Sequence, residues 1–374
     1  MISYLYSKKG FCVYLASDSV RKDALIFKEE EILSLADNLF ISMCQDIIEN
    51  GVSTEGEKVR PKWEDGTFAY TIKKFGVVNR YDLSKEFPAI TLRKTYIKSA
   101  VDELLWIWQK KSNNIHDLKS HVWDEWADEN GSIGKAYGYQ VSQPVDIYLD
   151  PIHKTPESFR HYDNQVAFVL DYLKENPNGR WAKINLWNVA DLKDMNLVPC
   201  CHGTDWNLDG GKLNCVLTQR SGDMPYGVPF NTTQYAMLMC KFARHLGVKP
   251  GKLVHVISDA HIYANQMDGV KEQIDYYNAM DHIGWLIKKE SFAHRYSSNR
   301  ENQSVIQEIE LIKKNYHWEE DINDIIQHFK DTILCNPWYY IPEDITNFWD
   351  MDVEKCKIED YKPIKEIKFG DIAV

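Results

Sequence analysis

The chain has 374 residues, of which 44% are apolar and 13% are aromatic. This length allows one large domain or two ordinary ones, and the apolar content is typical of a soluble globular protein. The formal net charge of −11 argues against sequence-independent binding of nucleic acid, but a local arginine cluster can still bind a small anion.

The eight cysteines form no CxxC pair and lack the spacing of a small disulfide-rich secreted domain. We therefore expect reduced thiols and a cytoplasmic protein. The N-terminus lacks the charged start and apolar segment of a signal peptide, and no long apolar run predicts a membrane span. Cys200, Cys201 and His202 are consecutive, and consecutive side chains rarely converge on one ion, so no metal site is expected.

The predicted elements mix strands and helices without the strict order of βαβ units. A hairpin is predicted around Lys8-Lys9-Gly10, and apolar residues spaced three and four apart predict a helix at 95–110. The other predicted elements are a helix at 164–175, strands at 182–187 and 212–219, a helix at 232–246, a strand at 252–258 and charged helices at 305–316 and 322–334. This mixture predicts an α+β fold with a large mixed β-sheet packed with helices.

Cys200 is a candidate nucleophile that follows Pro199 just before a strand. A single cysteine is most often a small buried apolar residue, and a reactive one needs a nearby cation to lower the pKa of its thiol. Arg220 ends the next predicted strand along the chain. If the two strands are neighbours, its guanidinium can reach the thiol, but the spacing alone leaves this open.

Several polar residues near that strand suit a phosphate and a heterocycle. The run Gln219-Arg220-Ser221-Gly222-Asp223 offers forked donors and acceptors, and its alternative is a solvated turn. Asn231 stands where the 232–246 helix is predicted to begin, so an N-cap is its ordinary interpretation. His261 and Tyr263 are two residues apart after a buried strand, so both can project to one side. Their alternative is a pair of satisfied polar core residues.

Glu103 lies among apolar residues of the helix predicted at 95–110. It is either a surface residue at the edge of the apolar stripe or a buried acid with a raised pKa. Trp123 and Trp126 are either core residues or rings that stack on a flat ligand.

These segments together resemble the thymidylate synthase family. The segments that carry the resemblance are FPAIT at 87–91, DELLWIWQ at 102–109, VWDEWADENG at 122–131, KAYGYQ at 135–140, LVPCC at 197–201, QRSGDM at 219–224, GVPFN at 227–231, SDAHIY at 258–263 and the C-terminal Ile-Ala-Val. The resemblance implies a thymidylate synthase-like three-layer fold, with the catalytic domain formed by 37–275 and 336–374. Residues 1–36 would then be an N-terminal extension, and 276–335 a helical insertion.

The resemblance also implies a reaction and a set of site residues. Cys200 would add to C6 of dUMP, and 5,10-methylenetetrahydrofolate would supply the one-carbon unit and hydride, giving dTMP and dihydrofolate. Glu103, Tyr137 and Asp223 would assist catalysis. The dUMP ligands would be Arg60, Arg180, Gln219, Arg220, Ser221, Asn231, His261 and Tyr263. Trp123, Trp126, Asp223 and the terminal carboxylate of Val374 would enclose the folate. Arg180 would reach the site from the partner subunit of a homodimer.

The Asn231 amide favours uracil over cytosine, because it can donate to O4 and accept from N3–H. Some positions depart from the family pattern. Trp181 replaces the second of two arginines, Cys201 a frequent histidine, Asp205 a frequent glutamine expected near Asn231, and Arg93 a lysine. Trp181 and Asp205 leave open a hydroxymethylase of dUMP or dCMP, in which water completes the reaction. Trp123 and the C-terminal Ala-Val favour hydride transfer. A non-catalytic nucleotide-binding or RNA-binding homologue is the third possibility.

Overall fold

The structure is a computed structural model that describes residues 34–293, 307, 310–315, 337–363 and 369, with the backbone alone for 285–293. Several predictions therefore lie outside the described residues: the hairpin around Lys8-Lys9-Gly10, the helix at 322–334, the terminal Val374 and most of the 1–36 and 276–335 segments. Of the helix predicted at 305–316, the described residues 307 and 310–315 are helical.

The described part of the chain contains six α-helices with assigned bounds and eleven β-strands. The helices are α1 (Leu35–Asn50), α2 (Ile97–Trp108), α3 (Gly138–Val141), α4 (Gln165–Glu175), α5 (Gly227–Leu246) and α6 (Met267–Ala293). The strands are β1 (Val52–Ser53), β2 (Thr71–Asp82), β3 (Val145–Tyr148), β4 (Phe159–Tyr162), β5 (Lys183–Asn185), β6 (Cys201–Asp209), β7 (Lys212–Gln219), β8 (Gly222–Asp223), β9 (Lys249–Tyr263), β10 (Trp338–Tyr340) and β11 (Lys357–Glu359).

A seven-stranded sheet forms the centre of the fold, in the order β1-β2-β9-β7-β6-β5, with β8 also beside β9. β9 is parallel to β7 and β8, whereas its pairing with β2 and the β5-β6-β7 pairings are antiparallel. This mixed sheet with packed helices confirms the predicted α+β class. β3–β4 and β10–β11 form two small separate hairpin-like pairs.

The helix α5 covers the sheet and carries the core. It packs on β7 and β9, and α2 packs on α5. The strand predicted at 212–219 is confirmed as β7, on which the alternate residues Leu213, Cys215 and Leu217 are all buried at 1% exposure or less. Gly247 ends α5 with φ +68°, a left-handed conformation that glycine adopts without steric cost, and the predicted end of this helix at 246 is confirmed.

Two element boundaries differ from the prediction, and both differences move site residues. α5 begins at Gly227, not 232, because Pro229 falls in the first turn, where no backbone N–H is needed. The N-cap interpretation of Asn231 is therefore wrong. β9 extends to Tyr263 because β2 pairs with it as far as that residue. His261 and Tyr263 thus lie within the strand and not after it.

The segment after β10 is anchored to α5 and α2. Lys241 of α5 is fully buried, and its Nζ lies 3.3 Å from Cys356 Sγ and 3.6 Å from Met351 Sδ. Burial lowers the pKa of this lysine. At the end of α2, the Gln109 amide donates to the carbonyl oxygen of Phe348 at 2.9 Å. The C-terminal part of the described chain is thus fastened beside the two central helices.

The domain division stays a prediction. The boundary placed between 275 and 276 falls inside α6, which continues without a break from Met267 to Ala293. Among the described residues, no helix combines the length and apolarity that a membrane crossing requires.

Candidate active site

Cys200 lies immediately before β6, at the end of the sheet where the neighbouring strand β7 ends. Cys201 pairs with Gln219 in the ladder, and the Arg220 N–H donates to the Cys200 carbonyl at 2.8 Å. The strands are therefore neighbours, which is the condition under which the sequence could bring Arg220 to Cys200. The Cys200 N–H in turn donates to the hydroxyl of Tyr137 at 3.0 Å.

Tyr137 is held in an unusual backbone conformation. Its φ of +41° is rare for a residue with a Cβ and costs free energy. The backbone of the next residue, Gly138, lies very close to the backbone of Ser112. A Cβ added at Gly138 would lie 2.0 Å from the Ser112 carbonyl oxygen. This tight turn directs the tyrosine hydroxyl at the Cys200 backbone.

Two opposing effects act on the Cys200 thiol. Burial raises its pKa, and the charges of Arg220 and Arg60 lower it, with burial the larger effect. The Arg220 guanidinium is fixed by its own loop, since Nη2 donates to the Val198 carbonyl at 2.7 Å and Nε to the Pro199 carbonyl at 3.1 Å. A cation is therefore fixed beside the thiol, as the sequence required of a nucleophile.

Glu103 is the buried acid that the sequence left as one of two possibilities. It is 7% exposed, and burial raises its pKa to about 7. Gln234 Nε2 donates to its Oε1 at 3.1 Å, and Trp123 Nε1 donates to its Oε2 at 3.0 Å. Both hydrogen bonds lower the pKa, but burial outweighs them. A carboxyl group with a pKa near neutrality can both give and take a proton.

The side chains of Gln219 and Asn231 meet beside Cys200. Gln219 Nε2 donates to Asn231 Oδ1 at 3.1 Å and to the Ser221 carbonyl at 2.8 Å. Asn231 reaches β7 because it lies in the second turn of α5, which packs on that strand. The polar run at 219–223 is thus folded into the sheet end and is not a solvated turn.

Asp223 offers an unsatisfied acceptor at the same end of the sheet. Burial raises its pKa, and His261 is the strongest of the groups that lower it. Gln266 Nε2 donates to Asp223 Oδ2 at 3.3 Å, while Oδ1 is buried without a hydrogen-bond partner among the described residues. A buried acceptor of this kind is costly unless a ligand donates to it.

His261 and Tyr263 face one another on β9, as their spacing predicted. Their ring centroids are 5.2 Å apart, and the Asp259 carboxylate accepts a hydrogen bond from His261 Nδ1 across 2.9 Å. Trp63 packs against Tyr263 at 5.6 Å. The exposed Arg60 acts electrostatically on both Tyr263 and Cys200, which puts it on the open side of this cluster.

Aromatic rings form one wall of the site. Trp123 is 7% exposed and packs edge-on against Tyr137 at 5.0 Å and Trp126 at 5.7 Å. Trp126 is only half-buried. Trp123 is therefore a core residue, and stacking of the partly exposed Trp126 on a flat ligand stays a prediction.

Two of the predicted residues that the structure describes, Arg180 and Asp205, are not brought to Cys200. Arg180 is exposed in the loop between α4 and β5, and its neighbour Trp181 is 43% exposed and stacks on Tyr172. Val374 lies outside the described residues. The prediction that Asp205 lies near the Asn231 network is wrong: it forms an ion pair with Lys183 across 2.6 Å.

A β-bulge explains the error for Asp205. The register of β6 against β7 shifts between Cys201 and Gly203. After this shift Asp205 lies opposite Val216, whose side chain points away from the face that Gln219 shares with Leu217. Spacing along the sequence carries no sign of the extra residue.

Sequence reasoning also missed residues that hold the predicted ones in place. Gln234 donates to Glu103, Gln266 donates to Asp223, and His255 contacts Gln219. Gln234 lies three residues after Asn231, one helical turn along the same face, so helix periodicity could have found it. For His255 and Gln266 the sequence contains no comparable signal. Among the described residues, no group of three or more His, Cys, Asp or Glu side chains is arranged to hold a metal ion.

Comparison with known proteins gives one consistent family. The thymidylate synthase family model matches residues 38–291. A thymidylate synthase of Clostridium beijerinckii is 34% identical over 345 residues, which cover 91% of this chain and all of that protein. Thymidylate synthase 1 of Bacillus subtilis is 39% identical over 243 residues, covering 64% of this chain and 83% of that protein. The solved structure of thermostable thymidylate synthase A from Bacillus subtilis matches with a TM-score of 0.67 and 30% identity, over 91% of this chain and 99% of that one.

Proposed function

This chain belongs to the thymidylate synthase family and is a methyltransferase, and from that premise we propose that it methylates dUMP to dTMP with 5,10-methylenetetrahydrofolate. The observation that supports the proposal most is the position of Cys200, at a sheet end where Arg220 and Arg60 act on its thiol. The Gln219–Asn231 amide pair at the same sheet end suits a pyrimidine edge.

Cys200 and Asn231 have separate roles in the first step of the proposed reaction. The Cys200 thiolate adds to C6 of the pyrimidine, a bond forms between Sγ and C6, and the displaced electron pair moves towards O4. Asn231 donates to O4 and so stabilises the charge that develops there. C5 then becomes the nucleophile of the following step. Arg220, Arg60 and Ser221 bind the phosphate, and His261 and Tyr263 bind the deoxyribose hydroxyl.

Glu103 and Tyr137 are the proposed proton-transfer residues. Glu103, with a pKa of about 7, delivers a proton to the folate nitrogen that leaves the one-carbon unit. Tyr137, whose hydroxyl already accepts from the Cys200 N–H, assists removal of the proton from C5. Both groups lie within the same cluster as Trp123, which donates to Glu103 and packs against Tyr137.

The residues present fit a reduced folate. Bound there, the folate supplies the one-carbon unit and the hydride that completes the methyl group. Asp223 presents a buried Oδ1 that lacks a partner among the described residues, which suits an N–H donor of a heterocycle. Trp123 and Trp126 offer flat apolar surface beside it. Val374, which the family resemblance assigns to the same ligand, belongs to the proposal as well.

A product assay tests the reaction. The protein is incubated with dUMP and 5,10-methylenetetrahydrofolate, and we expect dTMP and dihydrofolate in equal amounts, measured by mass spectrometry and by the absorbance of dihydrofolate. The reaction without dUMP is the control. Hydroxymethyl-dUMP with tetrahydrofolate would identify the hydroxymethylase instead, and no turnover would favour a non-catalytic binding protein.

The residues that left the hydroxymethylase open give it little support. Asp205 is paired with Lys183 on the face opposite to Gln219, and the exposed Trp181 stacks on the buried ring of Tyr172. Trp123, which favours hydride transfer, lies in direct contact with Glu103.

We also propose a homodimer in which Arg180 completes the phosphate site of the other subunit. Arg180 lies in an exposed loop away from Cys200 of its own chain. An isologous dimer places the same loop of each subunit at the other's site. We expect Arg180→Ala and Cys200→Ala to be nearly inactive alone. Mixed and re-associated in equal amounts, they form heterodimers with one intact site, and about a quarter of the wild-type activity returns.

Light scattering should give twice the mass of one chain for wild type and both variants. A monomer, or a mixture that stays inactive although heterodimers form, would contradict the shared site.

A further inference from the structure

A buried chain of hydrogen bonds runs behind the base-reading amide to His255 on β9. We propose that His255 is a positioning residue which fixes the polarity of the Gln219 and Asn231 amides, and so makes the site select uracil over cytosine. The inference deepens the proposed function and rests on it for the identity of the nucleotide.

The side chains that form this series of hydrogen bonds are buried away from water. His255 is fully buried, and Gln219 and Thr232 are 1% and 3% exposed. His255 Nε2 lies 2.7 Å from Gln219 Oε1, and its Nδ1 lies 3.1 Å from Thr232 Oγ1. Gln219 then reaches Asn231, which faces the site. With no water to substitute, each atom must find its correct donor or acceptor within the chain.

The orientation of the Gln219 amide follows from its two ends. One end lies 2.8 Å from the Ser221 carbonyl, which can only accept, so this end must be the nitrogen. The opposite end is therefore the oxygen, and it can only accept. It accepts from His255 Nε2 and, more weakly, from the Cys201 thiol at 3.4 Å. Ser221 and His255 thus hold the two ends of one amide.

The tautomer of His255 follows in the same way. Burial lowers the pKa of its imidazole to about 3, so the ring is neutral and carries one N–H. That hydrogen must be on Nε2, because Gln219 Oε1 needs a donor. Nδ1 is then an acceptor, and the Thr232 hydroxyl donates to it. A flipped Gln219 would put two N–H groups against each other at His255 and two oxygens against each other at Ser221.

The orientation of the Gln219 amide in turn fixes the orientation of the Asn231 amide. The second hydrogen on Gln219 Nε2 points at the Asn231 side chain across 3.1 Å, so the atom it meets must be Oδ1. An unrestrained amide can rotate by half a turn and suit either uracil or cytosine, since it offers one donor and one acceptor. With Oδ1 held by Gln219, Nδ2 is the donor presented to the base. That donor matches the O4 acceptor of uracil and opposes the N4 amino group of cytosine.

The test compares His255→Phe with His255→Gln by calorimetric binding of dUMP and dCMP, followed by kcat/KM for both. Phenylalanine fills the space without a donor, whereas glutamine can donate again to Gln219 Oε1. We expect the preference for dUMP to fall by about tenfold in His255→Phe, which corresponds to one buried hydrogen bond, and to be largely restored in His255→Gln. Thr232→Val, which frees Nδ1, should shift the preference in the same direction by a smaller factor.

The outcomes separate this inference from the proposed reaction. If wild type prefers dUMP in binding but makes no dTMP, the reaction fails while the binding ratios still test His255. If a folded His255→Phe keeps the wild-type ratio of dUMP to dCMP affinity, or if its affinities for both nucleotides fall equally, the inference is overturned. If both His255 variants unfold, an unchanged ratio in Thr232→Val overturns it, and a shifted ratio supports it.

Discussion

Replacing Cys200 with alanine is expected to lower turnover by at least about 10⁴-fold while dUMP still binds, because the change removes the nucleophile and leaves the charged and amide groups around it. Arg220 remains fixed by the Val198 and Pro199 carbonyls, which do not involve the thiol. Single-turnover kinetics measure the loss, and calorimetry with dUMP measures the binding that should persist within a few-fold.

The neighbouring thiol of Cys201 is the alternative nucleophile against which the assignment of Cys200 can be tested. Cys201 adjoins Cys200, but it is 2% exposed and its Sγ donates to Gln219, so it faces the core. Cys240→Ala, at a half-buried position in the C-terminal half of α5, is the matched control and should keep nearly full activity. Incubation with 5-fluoro-dUMP and the folate should give a covalent adduct located on Cys200 by peptide mapping. Activity surviving in Cys200→Ala, or an adduct on Cys201, would show that the nucleophile is assigned to the wrong residue.

Changing Glu103 to glutamine is expected to lower kcat by about 10²- to 10³-fold and to remove one limb of the pH profile. Burial raises the Glu103 pKa to about 7, and its proposed role is to give a proton. The wild-type rate should therefore fall as the pH rises above about 7, when the acid form is lost. In Glu103→Gln the rate, although low, should be flat over the same range. If the fall in rate above pH 7 persists unchanged in Glu103→Gln, this part of the pH profile belongs to another titrating group.

The same variant should not be less stable at alkaline pH. A folded pKa of about 7 against an unfolded value of 4.5 means that the folded chain binds the proton more tightly. Stability therefore falls as the pH rises from 4.5 through 7, and the buried anion costs roughly 3 kcal/mol above that range. Glutamine removes this cost, so Glu103→Gln should melt at an equal or higher temperature than wild type at pH 8. Lost activity together with a much lower melting temperature would mean that the fold, and not the chemistry, is affected.

Patterns that repeat along the chain predicted most of the fold. The alternation of β7 reflects burial of one face, whereas α2 is buried on all sides from Ala100 to Trp108, although its apolar spacing predicted the helix. The start of α5 was missed because Gly227 and Pro229 usually mark a turn, yet both fit a first helical turn. The side of the sheet on which Asp205 lies could not be predicted, since a β-bulge is decided by packing across strands.

The site was predictable where chemistry is concentrated in the sequence. Cys200 and Arg220 stand at facing ends of neighbouring strands, and one register brings them together. The partners behind them were not predictable. His255 is an ordinary residue in an apolar strand until β7 and α5 are laid beside it, and Gln266 acts on Asp223 from a turn after β9. Tertiary hydrogen bonds of this kind leave no periodic signal.

The hydrogen bond from Trp123 to Glu103 links two functions that are usually considered apart. Trp123 is the ring proposed to contact the folate, and its Nε1 donates to the carboxyl proposed to deliver the proton. Any shift of the indole on folate binding changes how well the carboxylate is stabilised. By reciprocity, folate affinity then varies with pH by the same factor by which folate displaces the Glu103 titration. Under the proposed function, folate binding and ionisation of Glu103 would therefore be a single coupled equilibrium.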